Sequence, residues 1–166
     1  EAAKPIRYGN MPSELALSTI THNAARQLGL QDRIGSIAPG KDADLAIFNA
    51  HPLNSFARCE MTLIEGEVFF LRDAHPTAMS PAARQRTRSP GPFIIPTADA
   101  RRGDLALPEA DDGTGTYAMV GGTLHPVSGP PKTGTLVIGN GRIIGLGPGT
   151  TPPPAAHRID ISGLHV

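Results

Sequence analysis

The sequence predicts a mainly β protein with one helix, and three observations carry that reading. Short apolar runs are punctuated by glycine-rich turns along both flanks. A single stretch repeats apolar residues at helical spacing. Between the flanks lies a proline-rich segment with no sustained period of either kind. Hydrophobic residues make up 39% of the 166 residues but aromatics only 4%, which supports a modest core. Gly (19) and Pro (17) are frequent enough to supply many turns.

The helix is predicted over Ser13 to Leu28. Ser13 follows Pro12 as a plausible N-cap, Glu14 places an acid in the first turn, and Gly29 can take the left-handed stop. Ala16, Ile20, Ala24 and Leu28 recur every four residues with Leu17 beside them. A tight segment, Ile34 to Asp42, comes next, and Leu45 to Phe48 is long enough for a buried strand. Met61 to Ile64 and Glu67 to Leu71 flank Glu65-Gly66 as a hairpin.

The segment from Ala74 to Gly115 reads as a Pro/Arg-rich linker. It holds Pro76, Pro81, Pro90, Pro92, Pro96 and Pro108, the basic Arg84, Arg86 and Arg88, and one apolar island, Phe93-Ile94-Ile95. After it come Tyr117 to Val120, Gly121-Gly122 and Thr123-Leu124, then Thr135 to Ile138 and Arg142 to Leu146 around Asn140-Gly141. Asn-Gly is a strong hairpin signal because both residues tolerate positive φ. Arg158 to Ile161 is the last strand, and this flank is predicted to be a small antiparallel sheet.

Charge excludes some partners. Lys plus Arg and Asp plus Glu each number 15, so nothing electrostatic favours nucleic acid or an anionic membrane. No run approaches the roughly 20 apolar residues that span a bilayer. Gly35 to Asp42 nearly spells a phosphate-binding loop. Asp42 stands where a hydroxyl is needed, Pro39 removes a donor, and a strand follows where a helix should begin, so the segment reads as a turn. Gly139, Gly141, Gly145 and Gly147 miss the dinucleotide spacing and belong to a hairpin. Histidines 22, 51, 75, 125, 157 and 165 form no His-x-His or His-x-x-x-His pair, and Cys59 has no cysteine partner. The sequence therefore assigns no catalytic, cofactor-binding or metal-ligating residue.

Two stretches resemble opposite ends of one enzyme family. Thr21-His-Asn-Ala-Ala-Arg-Gln-Leu-Gly-Leu30, with Ile34-Gly-Ser-Ile-Ala-Pro-Gly-Lys-Asp-Ala-Asp-Leu-Ala-Ile-Phe48, resembles the C-terminal signature of the amidohydrolase superfamily, imidazolonepropionase-like and prolidase-like members included. Ala24 stands where that family usually has proline, a mild change for a helix. Gly122-Thr-Leu-His-Pro-Val-Ser-Gly129, Gly134 to Gly147 and Ile159-Asp-Ile-Ser-Gly-Leu-His-Val166 resemble the family's opening strands, which run on into Pro-Gly-x-x-Asp-x-His-x-His.

Tail precedes head, the reverse of a single enzyme, so the resemblance implies a junction between two copies. It divides the chain into 1–73 (last barrel helix and closing strands), 74–115 (linker) and 116–166 (opening strands of a second unit). The fold implied is a composite β-sandwich plus the last helix of a TIM-type barrel. The parent implied is a hydrolase of carbon–nitrogen bonds other than peptide bonds, using zinc or another divalent metal held by barrel residues. Those ligands would lie before Glu1 or after Val166, so the piece is expected to bind no cofactor and to be inactive alone. Its partners would be the rest of its own barrels and, in the parent, a small amide-type substrate. The rival reading is a non-enzymatic β-sandwich for binding or assembly.

A strand set from either end would leave open edges and one uncovered face, whereas the two sets together can cover each other. A flexible linker of about 40 residues reaches about 35 Å, enough for Leu45 to Leu71 to meet Tyr117 to Ile161. Limited proteolysis is expected to cut first between about Pro76 and Gly115, leaving both flanks protected. Rapid digestion of either flank would contradict this pairing.

Overall fold

The computed structural model describes residues 2–72 and 115–166. Linker residues 74–114, including the Phe93-Ile94-Ile95 island, the arginines at 84, 86 and 88, and His75, lie outside the described residues. Three short helices come first, α1 (Lys4–Gly9), α2 (Ser13–Ile20) and α3 (His22–Gln27), followed by β1 (Leu45–Phe48), β2 (Cys59–Ile64) and β3 (Glu67–Leu71). Beyond the linker stand β4 (Thr116–Leu124), β5 (Lys132–Gly139), β6 (Arg142–Gly147) and β7 (His157–Asp160). The described chain is mainly β with three short helices.

The single helix expected over Ser13 to Leu28 is broken into α2 and α3. Thr21 sits at φ −124° and ψ −88°, outside helical space. The hydroxyls of Ser18, Thr19 and Thr21 donate to the carbonyls of Leu15, Ala16 and Leu17 at 2.7–3.0 Å, a local alternative that weakens a helix ladder and bends it. Ser13 makes no side-chain cap bond, since the helix is already entered at Pro12, whose carbonyl accepts from Ala16. Gly29 does take the left-handed stop (φ 71°), and Leu30 N–H closes onto the Ala25 carbonyl as in a Schellman ending. α1 was not foreseen. Pro5 in its first turn suits a helix start, and Asn10 ends it at φ 51°.

β1, β2 and β3 form one antiparallel sheet in that order. The other sheet runs β6-β5-β4-β7 and is mixed: β4 pairs antiparallel with β5 but parallel with β7. The wholly antiparallel sheet expected from sequence is therefore corrected. β6 lies on one edge and β7 on the other, so the Pro152 to Pro154 connection is a crossover and no hairpin can form. Both foreseen hairpin turns occur, with Glu65 and Gly66 at φ 51° and 81° and Asn140 and Gly141 at φ 51° and 72°, positive at both central positions as a type I′ turn requires.

Both flanks contribute to one core. Ile37, Ala43, Leu45, Ile47, Met61 and Leu63 from the first pack with Met119, Leu124, Leu136, Ile138, Ile143, Ile159, Ile161 and Val166 from the second. Two backbone seams join them. At one, the segment Leu164–Val166 runs between β1 and β4: Phe48 and His165 exchange N–H···O bonds of 2.7 and 2.8 Å, and Thr123 does the same with Leu164 and Val166 at 2.9 Å. At the other, Ala43 N–H donates to Gly141 O and Ile143 N–H to Lys41 O.

The resemblance motifs line these seams. In the Gly-Lys-Asp-Ala-Asp run, the Lys41 ammonium donates to the carbonyls of Gln31 and Ile34. Asp42, 8% exposed, pairs with Arg33 (2.6 Å) and with Arg142 (3.2 Å) across the seam. Asp44 accepts from Glu65 N–H. The near-phosphate loop is thus a turn with both charged side chains engaged. In Asp160-Ile-Ser-Gly163, the Asp160 carboxylate accepts from Ser162 N–H, and Ser162 bonding holds its pKa below the ordinary carboxylate value. Gly163 (φ 80°) then turns the chain toward β4.

The two hairpin turns abut, and a Cβ built on Gly141 would lie 2.7 Å from the Glu65 carbonyl oxygen. Gly141→Ala therefore meets both a positive φ and an unyielding backbone atom. It is expected to lower unfolding stability by about 1–3 kcal/mol. Gly129→Ala, where a Cβ meets nothing within 4 Å, should change it far less. Chemical denaturation of the two variants checks this.

Candidate metal centre

Four separated polar side chains meet where the Leu164–Val166 seam reaches the helices. Glu14 comes from the first turn of α2, His51 from the loop after β1, His125 from the residue after β4, and His165 from the seam itself. Local backbone explains the approach. His125-Pro126 directly follows β4, as a proline that removes the next donor favours, whereas His51-Pro52 lies in the loop three residues beyond β1. His125 N–H is fixed by the Val166 carbonyl at 2.7 Å.

His125 lies at the centre, its side chain 3% exposed. Its Nδ1 stands 3.2 Å from Glu14 Oε1, and its Nε2 stands 3.0 Å from His165 Nδ1. A neutral His125 that donates from Nδ1 to the carboxylate must accept at Nε2, so His165 donates from Nδ1. His51 meets His125 edge-on, with ring centroids 4.7 Å apart and planes at 82°. Leu53 N–H donates to His51 Nδ1 at 3.1 Å. The other Glu14 oxygen, Oε2, is buried with no hydrogen-bond partner.

Burial and neighbouring rings favour the neutral form of two of the imidazoles, His51 and His165. Burial first, then His125, lowers the His51 pKa from its usual value, while Glu14 opposes the shift. Burial, followed by His125 and His51, lowers that of His165. Neutral rings have lone pairs to offer, and one donor atom each from Glu14, His51 and His125 lies within 4.8 Å of the other two. A groove of about 390 Å³ between α2 and the Val127–Pro130 loop is open to solvent and lined in part by Glu14.

Sequence spacing assigned no ligand here, because residues 14, 51, 125 and 165 are far apart in the chain. The other singled-out residues lie elsewhere. His22 begins α3 and His157 begins β7. Cys59, half-buried on β2, has its sulfur 3.3 Å from Thr62 Oγ1 and 3.4 Å from the Met61 carbonyl.

Comparison with known proteins finds likenesses to the first flank. Residues 9–70 match the amidohydrolase family, and this flank is similar to members of the amidohydrolase superfamily. The relatives include the amidohydrolase tasK of Hapsidospora irregularis, 37% identical over 42% of this chain and 7% of the relative. The imidazolonepropionase of Thermoplasma acidophilum is 32% identical over 42% of this chain and 18% of the relative. The 8-oxoguanine deaminase of Pseudomonas aeruginosa is 50% identical over 29% of this chain and 11% of the relative. An amidohydrolase crystal structure from Thermotoga maritima is 45% identical over 43% of this chain and 18% of that one, with a TM-score of 0.40. The chain thus spans less than a fifth of the length of each of these proteins.

Proposed function

We propose that this chain is a junction segment of metal-dependent amidohydrolases, the closing part of one unit followed by the opening strands of a second. On this reading its role is to complete the small β-sandwich beside a catalytic barrel, and the chemistry belongs to the full-length parent. One observation carries the proposal. The strands of the family-matched flank share a core and two backbone seams with strands that follow the linker. Neither set alone would cover both its edges and its inner face.

The helices support the other half of the reading. Tyr8, Leu15, Ile20 and Leu28 are 52–80% exposed, whereas Ala16, Leu17 and Ala25 are buried. The apolar stripe read from sequence thus mostly faces outward, as the last helix of a barrel does before its neighbours pack on it. The parent would hydrolyse carbon–nitrogen bonds other than peptide bonds, with zinc or another divalent metal activating water. The ligands for that ion would come from barrel strands of the parent, so no proton transfer is assigned to a residue of this chain. Fold likeness leaves the substrate open, since specificity resides in barrel loops.

Sequencing onward from Val166 and expressing the extended protein tests this. The expected result is an in-frame Pro-Gly-x-x-Asp-x-His-x-His and metal-dependent hydrolysis by the extended protein, with none by residues 1–166. Turnover of an amide by residues 1–166 alone would overturn the proposal, as would a non-barrel continuation.

A further inference from the structure

We propose that Glu14, His51 and His125 form a binding site for one divalent zinc-like ion, which ties α2 to both halves of the β structure. Glu14 and His51 lie on the first flank and His125 on the second, so the ion would bridge the seam. An imidazole, imidazole, carboxylate set suits a borderline ion such as zinc. Tetrahedral ligands at about 2.0–2.1 Å stand about 3.3 Å apart. Glu14 Oε1 and His125 Nδ1 already stand 3.2 Å apart, and every ligand atom lies within 4.8 Å of the others, so modest side-chain motion closes the set. The Oε2 atom of Glu14 has no hydrogen-bond partner, so this carboxylate keeps an acceptor oxygen to offer an ion. Solvent, entering from the groove beside Glu14, supplies the fourth position.

Binding would reorganise three hydrogen bonds, the first being the one between His125 Nδ1 and Glu14 Oε1, which the ion replaces. With the ion on Nδ1, neutral His125 must carry its proton on Nε2, which then donates to His165 Nδ1 at the observed 3.0 Å. His165 thereby becomes a positioning residue that fixes the tautomer and ring plane. His51 must release Leu53 N–H: Nδ1 either gives its lone pair to the ion or, when Nε2 ligates, carries the proton. Losing one such bond is a small penalty beside the gain from binding a structural zinc ion. Only side chains at this seam enter here, so zinc binding and the junction reading fail separately.

The test uses the whole 166-residue chain with zinc chloride, read by native mass spectrometry, calorimetry and amide NMR. One zinc per chain is expected, together with a large shift of the Leu53 amide and movement of the His125 proton from Nδ1 to Nε2. Glu14→Gln, His51→Asn and His125→Asn should each weaken binding about tenfold or more, and His165→Asn less, while His157→Asn leaves it unchanged. If His125→Asn fails to fold, Glu14→Gln and the wild-type Leu53 signal still decide. Folded protein that retains no zinc would overturn the site. So would zinc held equally by Glu14→Gln and His51→Asn, or a Leu53 amide that does not move.

Discussion

The strand segment Leu164–Val166 takes hydrogen bonds from both sides, and the rest of the β structure depends on it. Without it the outer side of β1 near Phe48 and the end of β4 at Thr123 would both present open backbone. Unpaired buried N–H and C=O groups each cost about 1–3 kcal/mol, so three residues that pair in both directions have influence beyond their length. The same segment buries Val166 in the common core and delivers His165 to the side-chain cluster. Its position follows from Asp160 and Gly163, which turn the chain after β7.

The opposite seam does similar work with charge. Asp42 is buried, and its arginines, Arg33 and Arg142, are each more than half exposed. Such pairs bring modest energy, but a buried carboxylate deprived of its partners costs more than the pairs gain. Asp42 therefore acts chiefly as a constraint on which strands can meet. It accepts only an arrangement that brings β6 and its Arg142 against the segment before β1. Abutting turns at Glu65-Gly66 and Asn140-Gly141 impose the same choice sterically.

Much of the β structure was legible in the sequence because its signals are local. Glycine placement gave both hairpins, the apolar runs gave β1, β2, β3 and β6 nearly to their ends but only half of β5, and Gly29 gave the end of the helical region. Tyr117 to Val120 and Thr123-Leu124, on either side of Gly121-Gly122, belong to one strand, β4. The chain absorbs Gly121 at φ 86° as a bulge within that strand. Periodicity ran through Thr21 because hydroxyl bonding to preceding carbonyls leaves no mark on an apolar pattern. Parallel pairing of β7 was hidden as well, since a partner across a crossover is chosen by the whole sheet. The Glu14, His51, His125 and His165 cluster was illegible for the same reason: its spacing in the chain says nothing until the seam exists.

Residue-resolved urea unfolding, followed by amide NMR, tests the shared core most directly. Amides of β1, β2 and β3 and those of β4, β5 and β7 should lose their native signals in one transition with a common midpoint and slope. Separate midpoints for the two sets would mean that each flank folds on its own, and that the seams are contacts between finished units.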